Sequence, residues 1–149
     1  MALKPRIVVV GLGSIGRRHA RLLALRGDLT VEWCEADPAA VAAAAAELGR
    51  PGQVHASYDA MLATSPELIV IATPHAHHEA QTIAALRAGV HVFCEKPMAD
   101  SLAGGARMLH AAKAAGRVLT VGFQLHFNPG LRRLRELALG GSLGEIVHF

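Results

Sequence analysis

Residues 8–20, VVVGLGSIGRRHA, decide the fold. A β-branched run stops at Gly11 and gives way within a few residues to a segment with helical spacing. Gly11, Gly13 and Gly16 stand between the two as G-x-G-x-x-G. In a chain with 15 glycines the triplet alone says little. Placed directly after a strand and at the opening of a helix, it marks a loop that cradles a dinucleotide pyrophosphate. Gly11 makes the tight turn, Gly13 lets the phosphates approach the backbone, and Gly16 lets the helix pack on the strand. The free N–H groups and the positive dipole end of the helix hold the anion.

The rest of the chain repeats that alternation. Short β-branched runs predict strands over 7–10, 29–34, 54–56, 68–72, 90–94 and 118–122, with the start of another over 146–149. Between them, Ala/Leu-rich segments predict helices over 15–26, 38–48, 76–88, 101–115 and 129–139, and Ser57 opens a brief one containing Ala60, Met61 and Leu62. In the first helix Ile15, Leu22, Leu23 and Leu25 are expected to form the apolar face. Asp37 is expected to cap the second helix, with Pro38 in its first turn and Gly49 ending it. Regular strand–helix alternation means βαβ units: an α/β fold with a doubly wound parallel sheet, in strand order 3-2-1-4-5-6.

Composition narrows the function. The formal charge is +3 and the pI about 9.3, a mild excess with no basic run interleaved with aromatics, so a nucleic-acid role is not expected. Cys34 and Cys94 lie in no metal-ligand spacing and, on strands two and five, about 14 Å apart at the spacing of neighbouring strands, too far for a disulfide. No metal site is expected. The apolar start, residues 7–10, is too short for a signal peptide, and nothing approaches a membrane span. The reading is a cytoplasmic protein without membrane partners.

In an open parallel sheet, ligands bind beyond the carboxyl ends of the strands. After the second strand, Glu35 follows Gly16 by 19 residues, the place of the carboxylate that bonds the adenosine ribose. With Asp37 beside it, a 2′-phosphate would be repelled, so NAD is expected over NADP; Arg17 and Arg18 keep NADP as the alternative. After the fourth strand, Thr73 and Pro74 make a rigid turn, with His75, His77 and His78 at the helix start. After the fifth, the apolar run ends in Glu95, Lys96 and Pro97. A lysine there can orient a substrate hydroxyl or stabilise a developing oxyanion. Glu95 is expected to keep its charge poised, and Pro97 to fix the turn.

Together these residues resemble a known family. Gly11-Leu-Gly-Ser-Ile-Gly-Arg-Arg-His19, Thr73-Pro74 with His78, AGVHVFCEKPMA and VGFQLHFNP are similar to stretches of the glucose–fructose oxidoreductase / inositol dehydrogenase / MocA dehydrogenases. The resemblance implies a Rossmann domain and hydride transfer between NAD(P) and a sugar, inositol or similar polyol. It implies that Gly11, Leu12, Gly13, Ser14, Ile15, Gly16, Glu35, Thr73, Pro74, His78, Glu95 and Lys96 line the cofactor. Lys96 would also meet the substrate, as the catalytic residue present. Gln124 stands where the family often has a polar residue near the nicotinamide. His75 and His126 depart from the family's usual Asn and Arg.

The family's enzymes carry a second α/β domain with most substrate contacts, the catalytic His or Asp and much of the oligomer interface. The chain therefore reads as a dinucleotide-binding domain over 1–122, then a connecting segment over 123–149 with the first strand of a truncated substrate domain. It is expected to bind cofactor with little turnover, and a homo-oligomer is possible. The rival expectation is a stand-alone NAD(H)-sensing module, which would not need Lys96.

Overall fold

The computed structural model describes residues 3–49, 51–145 and 147. The strands are β1 (Arg6–Val10), β2 (Thr30–Cys34), β3 (Val54–His55), β4 (Leu68–Ile71), β5 (His91–Cys94) and β6 (Leu119–Val121). The helices are α1 (Ser14–Ala24), α2 (Pro38–Leu48), α3 (Tyr58–Ala63), α4 (His78–Arg87), α5 (Leu102–Ala115) and α6 (Pro129–Leu139). All strand pairs are parallel and the order is β3-β2-β1-β4-β5-β6, as the sequence predicts. Of the strand expected over 146–149, residues 146, 148 and 149 lie outside the described residues.

The two-residue period of the strands sorts their side chains onto two layers. Val8, Val10, Ile69, Ile71, Val92 and Cys94 face one side, under Met61 of α3, Ala85 and Leu86 of α4, and Met108 and Ala111 of α5. Ile7, Val9, Trp33 and Val70 face the other, under Ala20 of α1 and Ala44 of α2. Each fully buried Val or Ile contributes roughly 1.5–3 kcal/mol. With layers on both faces, β1 and β4 need no polar alternation, which is why they read as unbroken apolar runs.

Helix ends follow local chemistry. Asp37 accepts from the Ala39 N–H at 2.9 Å, and Gly49 ends α2 at φ 78°. Ser57 and Ser101 accept from Ala60 and Gly104 in the same way. Asn128 caps α6 by accepting from Leu131. The apolar face expected on α1 needs correction: Ile15, Leu22 and Leu25 are exposed, and the helix buries Gly16 and Ala20, with Leu23 half-buried. Small residues win the inner face because the helix lies close on the sheet at the glycine loop.

A buried ion-paired group was not anticipated. Glu32, 5% exposed in the middle of β2, receives the Arg6 Nε–H and Nη2–H at 3.0 and 3.2 Å, and its Oε2 lies 2.9 Å from His55 Nε2. Arg6 also donates to the Thr64 carbonyl and hydroxyl, both at 2.9 Å. The Arg6 guanidinium holds the Glu32 carboxyl below the usual range, against the opposing effect of burial, with His55 adding to the lowering. The Arg6 side chain is 31% exposed and keeps its bonds to Thr64, so Glu32→Leu is expected to destabilise the fold by about 2 kcal/mol, the order of a hydrogen bond to a charged group, read as a lower urea midpoint. Because the folded-state pKa is depressed, this stabilisation is present above the ordinary carboxylate range. It is lost as pH falls below that range through the lowered value. Urea midpoints of wild type and variant should therefore converge at acid pH; a gap unchanged at low pH contradicts the assignment.

Candidate cofactor cleft

The glycine loop is built by contact. Gly11 has φ +87°, and a Cβ there would stand 3.0 Å from the Ala72 carbonyl oxygen and the Thr73 nitrogen. A Cβ at Gly16 would run into the carbonyl oxygen of Gly11. Gly13 differs: nothing lies within 4 Å of where its Cβ would be. Gly13 is also the N-cap of α1, with no side-chain cap and no acid in the first turn. The opening amides of α1 thus face open space, where an anion completes them. These features fit a pyrophosphate.

The loop opens on a cleft of about 510 Å³ lined by Gly11, Gly13, Ser14, Ile15, Cys34, Glu35, Ala36, Ala56, Tyr58, Thr73, Pro74, His77 and Gln81, among others. Leu12 contributes only backbone. Its side chain is buried in the core, while its N–H donates to Glu35 Oε2 at 2.8 Å. The other Glu35 oxygen accepts from Asp37 N at 3.0 Å. Two backbone amides therefore orient the carboxylate at the end of β2, where the sequence puts the ribose ligand. Ile15, 45% exposed, turns towards the cleft instead of the sheet. Arg17 bonds the Leu12 carbonyl at 3.2 Å and pairs with Glu47 of α2 at 3.1 Å.

Two further residues on this wall come from the structure alone. Tyr58 donates to the Gln81 carbonyl at 2.6 Å, and the Gln81 side chain receives the Thr73 hydroxyl at 2.6 Å. Cys34 lines the same wall; burial, with a smaller contribution from Glu35, pushes its thiol up to about 11. At pH 8 that leaves so little thiolate that iodoacetamide should label Cys34 roughly a hundredfold more slowly than an unperturbed cysteine. Peptide mass spectrometry against pH reads this, and a rate that levels off near pH 8.5 contradicts it.

A smaller cleft of about 160 Å³ adjoins the first through Ile15, Ala72, Thr73 and Pro74, and adds His75, His78, Glu95 and Lys96. Lys96 is exposed, and among the described residues no carboxylate lies within ion-pair distance of its ammonium. The expectation that Glu95 poises the Lys96 charge is therefore corrected. Glu95 turns inward to α1, where its Oε1 meets His19 Nε2 at 2.7 Å; only the Lys96 backbone N–H reaches the other oxygen, at 3.1 Å. The Lys96–Pro97 peptide bond is cis.

His78 is buried at 1% exposure, Nδ1 2.8 Å from the Pro97 carbonyl and Nε2 3.0 Å from the Thr73 carbonyl. It ties the loop after β4 to the loop after β5 and reaches the cleft as a wall. Gln124, in a 3₁₀ turn after β6 (Gln124–Phe127), is exposed and lines neither cleft. His75 lies 3.6 Å from Asp100. Among the described residues no group of three or more His, Cys, Asp or Glu is placed to hold a metal ion. None of their helices is long and apolar enough to cross a membrane.

Uncapped helix, bare Gly13 backbone and oriented Glu35 define a dinucleotide-binding domain of the parallel α/β class. Residues 5–123 match the model of the Gfo/Idh/MocA oxidoreductase family with NAD-binding Rossmann fold, and the chain belongs to that family. It is 36% identical over 146 residues to inositol 2-dehydrogenase of Leifsonia xyli subsp. xyli, covering 95% of this chain and 42% of that one. It is 32% identical to D-glucoside 3-dehydrogenase of Escherichia coli K12, covering 95% of this chain and 41% of the relative. Among solved structures, scyllo-inositol dehydrogenase of Lactobacillus casei with NAD(H) and scyllo-inositol bound superposes with a TM-score of 0.84 at 27% identity, over 97% of this chain and 43% of that one. The chain thus spans about two fifths of the length of the curated relatives it matches.

Proposed function

We propose that this chain is the NAD(H)-binding part of a dehydrogenase that moves a hydride between the nicotinamide and a carbon of a sugar, inositol or similar polyol. The observation that carries the reading is the continuity of the two clefts. The uncapped start of α1, Glu35 and Lys96, whose ammonium meets no carboxylate among the described residues, all face one rim of the sheet. The NAD(H)-bound inositol relative supports it.

NAD supplies the hydride acceptor when bound. The chain's own residues do the rest. The opening amides of α1 hold the pyrophosphate, and the Glu35 carboxylate accepts from the ribose hydroxyls. Thr73 and Pro74, with Ile15 opposite, wall the passage between the two clefts. Lys96 donates to the substrate hydroxyl oxygen, stabilising the alkoxide that forms as the proton leaves. The proton passes to a general base that we place in a second domain, so this chain alone binds cofactor with little turnover. We divide the chain into a cofactor domain over 1–122 and a connecting segment over 123–149, and place it in the cytoplasm, consistent with two buried free cysteines.

The choice of NAD over NADP rests on Glu35, already bonded to two amides, and on Arg17, engaged by Glu47. Titrating the chain with each reduced cofactor and following nicotinamide fluorescence should give tighter binding of NADH. Glu35→Ala should weaken NADH binding about tenfold, the loss of one hydrogen bond to a charged group, while narrowing the gap to NADPH. Tighter NADPH binding by the unmutated chain overturns the choice. In a chain carrying both domains, Lys96→Ala should lower kcat at least a hundredfold, the order of losing one oxyanion donor, with little change in NADH affinity. Unchanged kcat would favour a cofactor-sensing role instead.

A further inference from the structure

His19, on the sheet-facing side of α1, touches neither cleft. Its ring sits edge-on to Phe93 of β5, with centroids 5.3 Å apart at 66°. Its Nε2 lies 2.7 Å from Glu95 Oε1, and the two side chains are only 23% and 12% exposed. A carboxylate oxygen only accepts, so the Nε2–H donates and the bond is charge-assisted. The backbone around Glu95 is already fixed: Glu95 N donates to the Ile71 carbonyl and Gly122 N to the Cys94 carbonyl, both at 2.9 Å. The free variable is where the carboxylate points. His19 holds one oxygen and the Lys96 N–H holds the other. Gly122 leaves the room: a Cβ there would stand 3.0–3.1 Å from all three carboxyl atoms.

We infer that His19 is a positioning residue. By holding the Glu95 carboxylate against α1, it keeps an acceptor on the inner side for the Lys96 N–H, and so steadies the Lys96 side chain in its outward direction at the smaller cleft, where we place the nicotinamide. The consequence is mechanical. Helix α1 carries the glycine loop at its start and His19 within its second turn. One rigid helix therefore sets both the seat of the pyrophosphate and the direction of the lysine, although the two sit on different crossovers of the sheet. The inference rests on the proposed role of Lys96.

The test follows two quantities on the same chain: NADH affinity by fluorescence, and protection of Lys96 by NADH from reductive methylation, read by peptide mass spectrometry. Three substitutions separate bonding from bulk. His19→Gln places a donor near the Nε2 position, His19→Asn carries a donor too short to reach, and His19→Leu has none. His19→Leu and His19→Asn should lose about tenfold in Lys96 protection, the order expected of one hydrogen bond to a charged group, while NADH affinity changes less than threefold. His19→Gln should restore protection. Gly122→Ala, which displaces the carboxylate without touching α1, should reproduce the loss and serves if the His19 variants do not fold.

Full protection in His19→Leu overturns the inference. So does a parallel loss of affinity and protection in all three His19 variants, which marks His19 as merely structural. If unmutated chain binds NADH but leaves Lys96 unprotected, the placement of Lys96 at the nicotinamide fails, and the inference with it. If it does not bind NADH at all, the proposed function itself is wrong.

Discussion

The close approach of α1 to the sheet at Gly11 and Gly16 is the constraint on which the rest depends. No side chain fits at Gly16, because the Gly11 carbonyl occupies the place of its Cβ. That contact brings the start of the helix over the carboxyl ends of β1 and β4, and leaves Gly13 bare in front of it. The same approach explains why Gly16 and Ala20 are the buried residues of α1 while Leu22 is not. It also brings His19 within reach of Glu95.

The fold was legible in the sequence because its signals are local and agree with one another. Apolar runs of strand length, helix-opening residues such as Asp37 and Ser57, and the terminating Gly49 lie in register with the elements they bound. The strand order followed from the alternation and from where the glycine loop sits in it. The misreading on α1 has the same origin as the success at the loop: helical periodicity marks leucines, but a helix pressed onto a sheet buries its small residues.

The candidate cleft was legible to the degree that a residue's part depends on its place at a strand end. Glu35, Thr73, Pro74 and Lys96 stand at the rim for that reason. Partnerships across distant segments were not legible. His19 and Glu95 are 76 residues apart, and His78 reaches Pro97 across 19. The sequence offers Glu95 a lysine as its neighbour, and the neighbour's ammonium is the wrong partner. Glu32 gave a faint signal, a charge inside a strand, but nothing in the sequence pairs it with Arg6 and His55.

Seen this way, the molecule divides its charges by task. The group around Glu32 ties β1, β2 and β3 together, with Glu32 and His55 buried and Arg6 covering them from the surface. Glu95, half-way to the surface, is tethered and gives direction to its neighbour. Lys96 alone at the rim is left unpaired by the described residues. The central claim, that the start of α1 seats the cofactor phosphates with the nicotinamide end towards Lys96, is tested most directly by amide NMR during an NADH titration. The account predicts the largest shifts at Gly13, Ser14 and Ile15, with a second set at Glu95 and Lys96. Shifts confined to residues away from the two clefts, or none in the glycine loop, would contradict it.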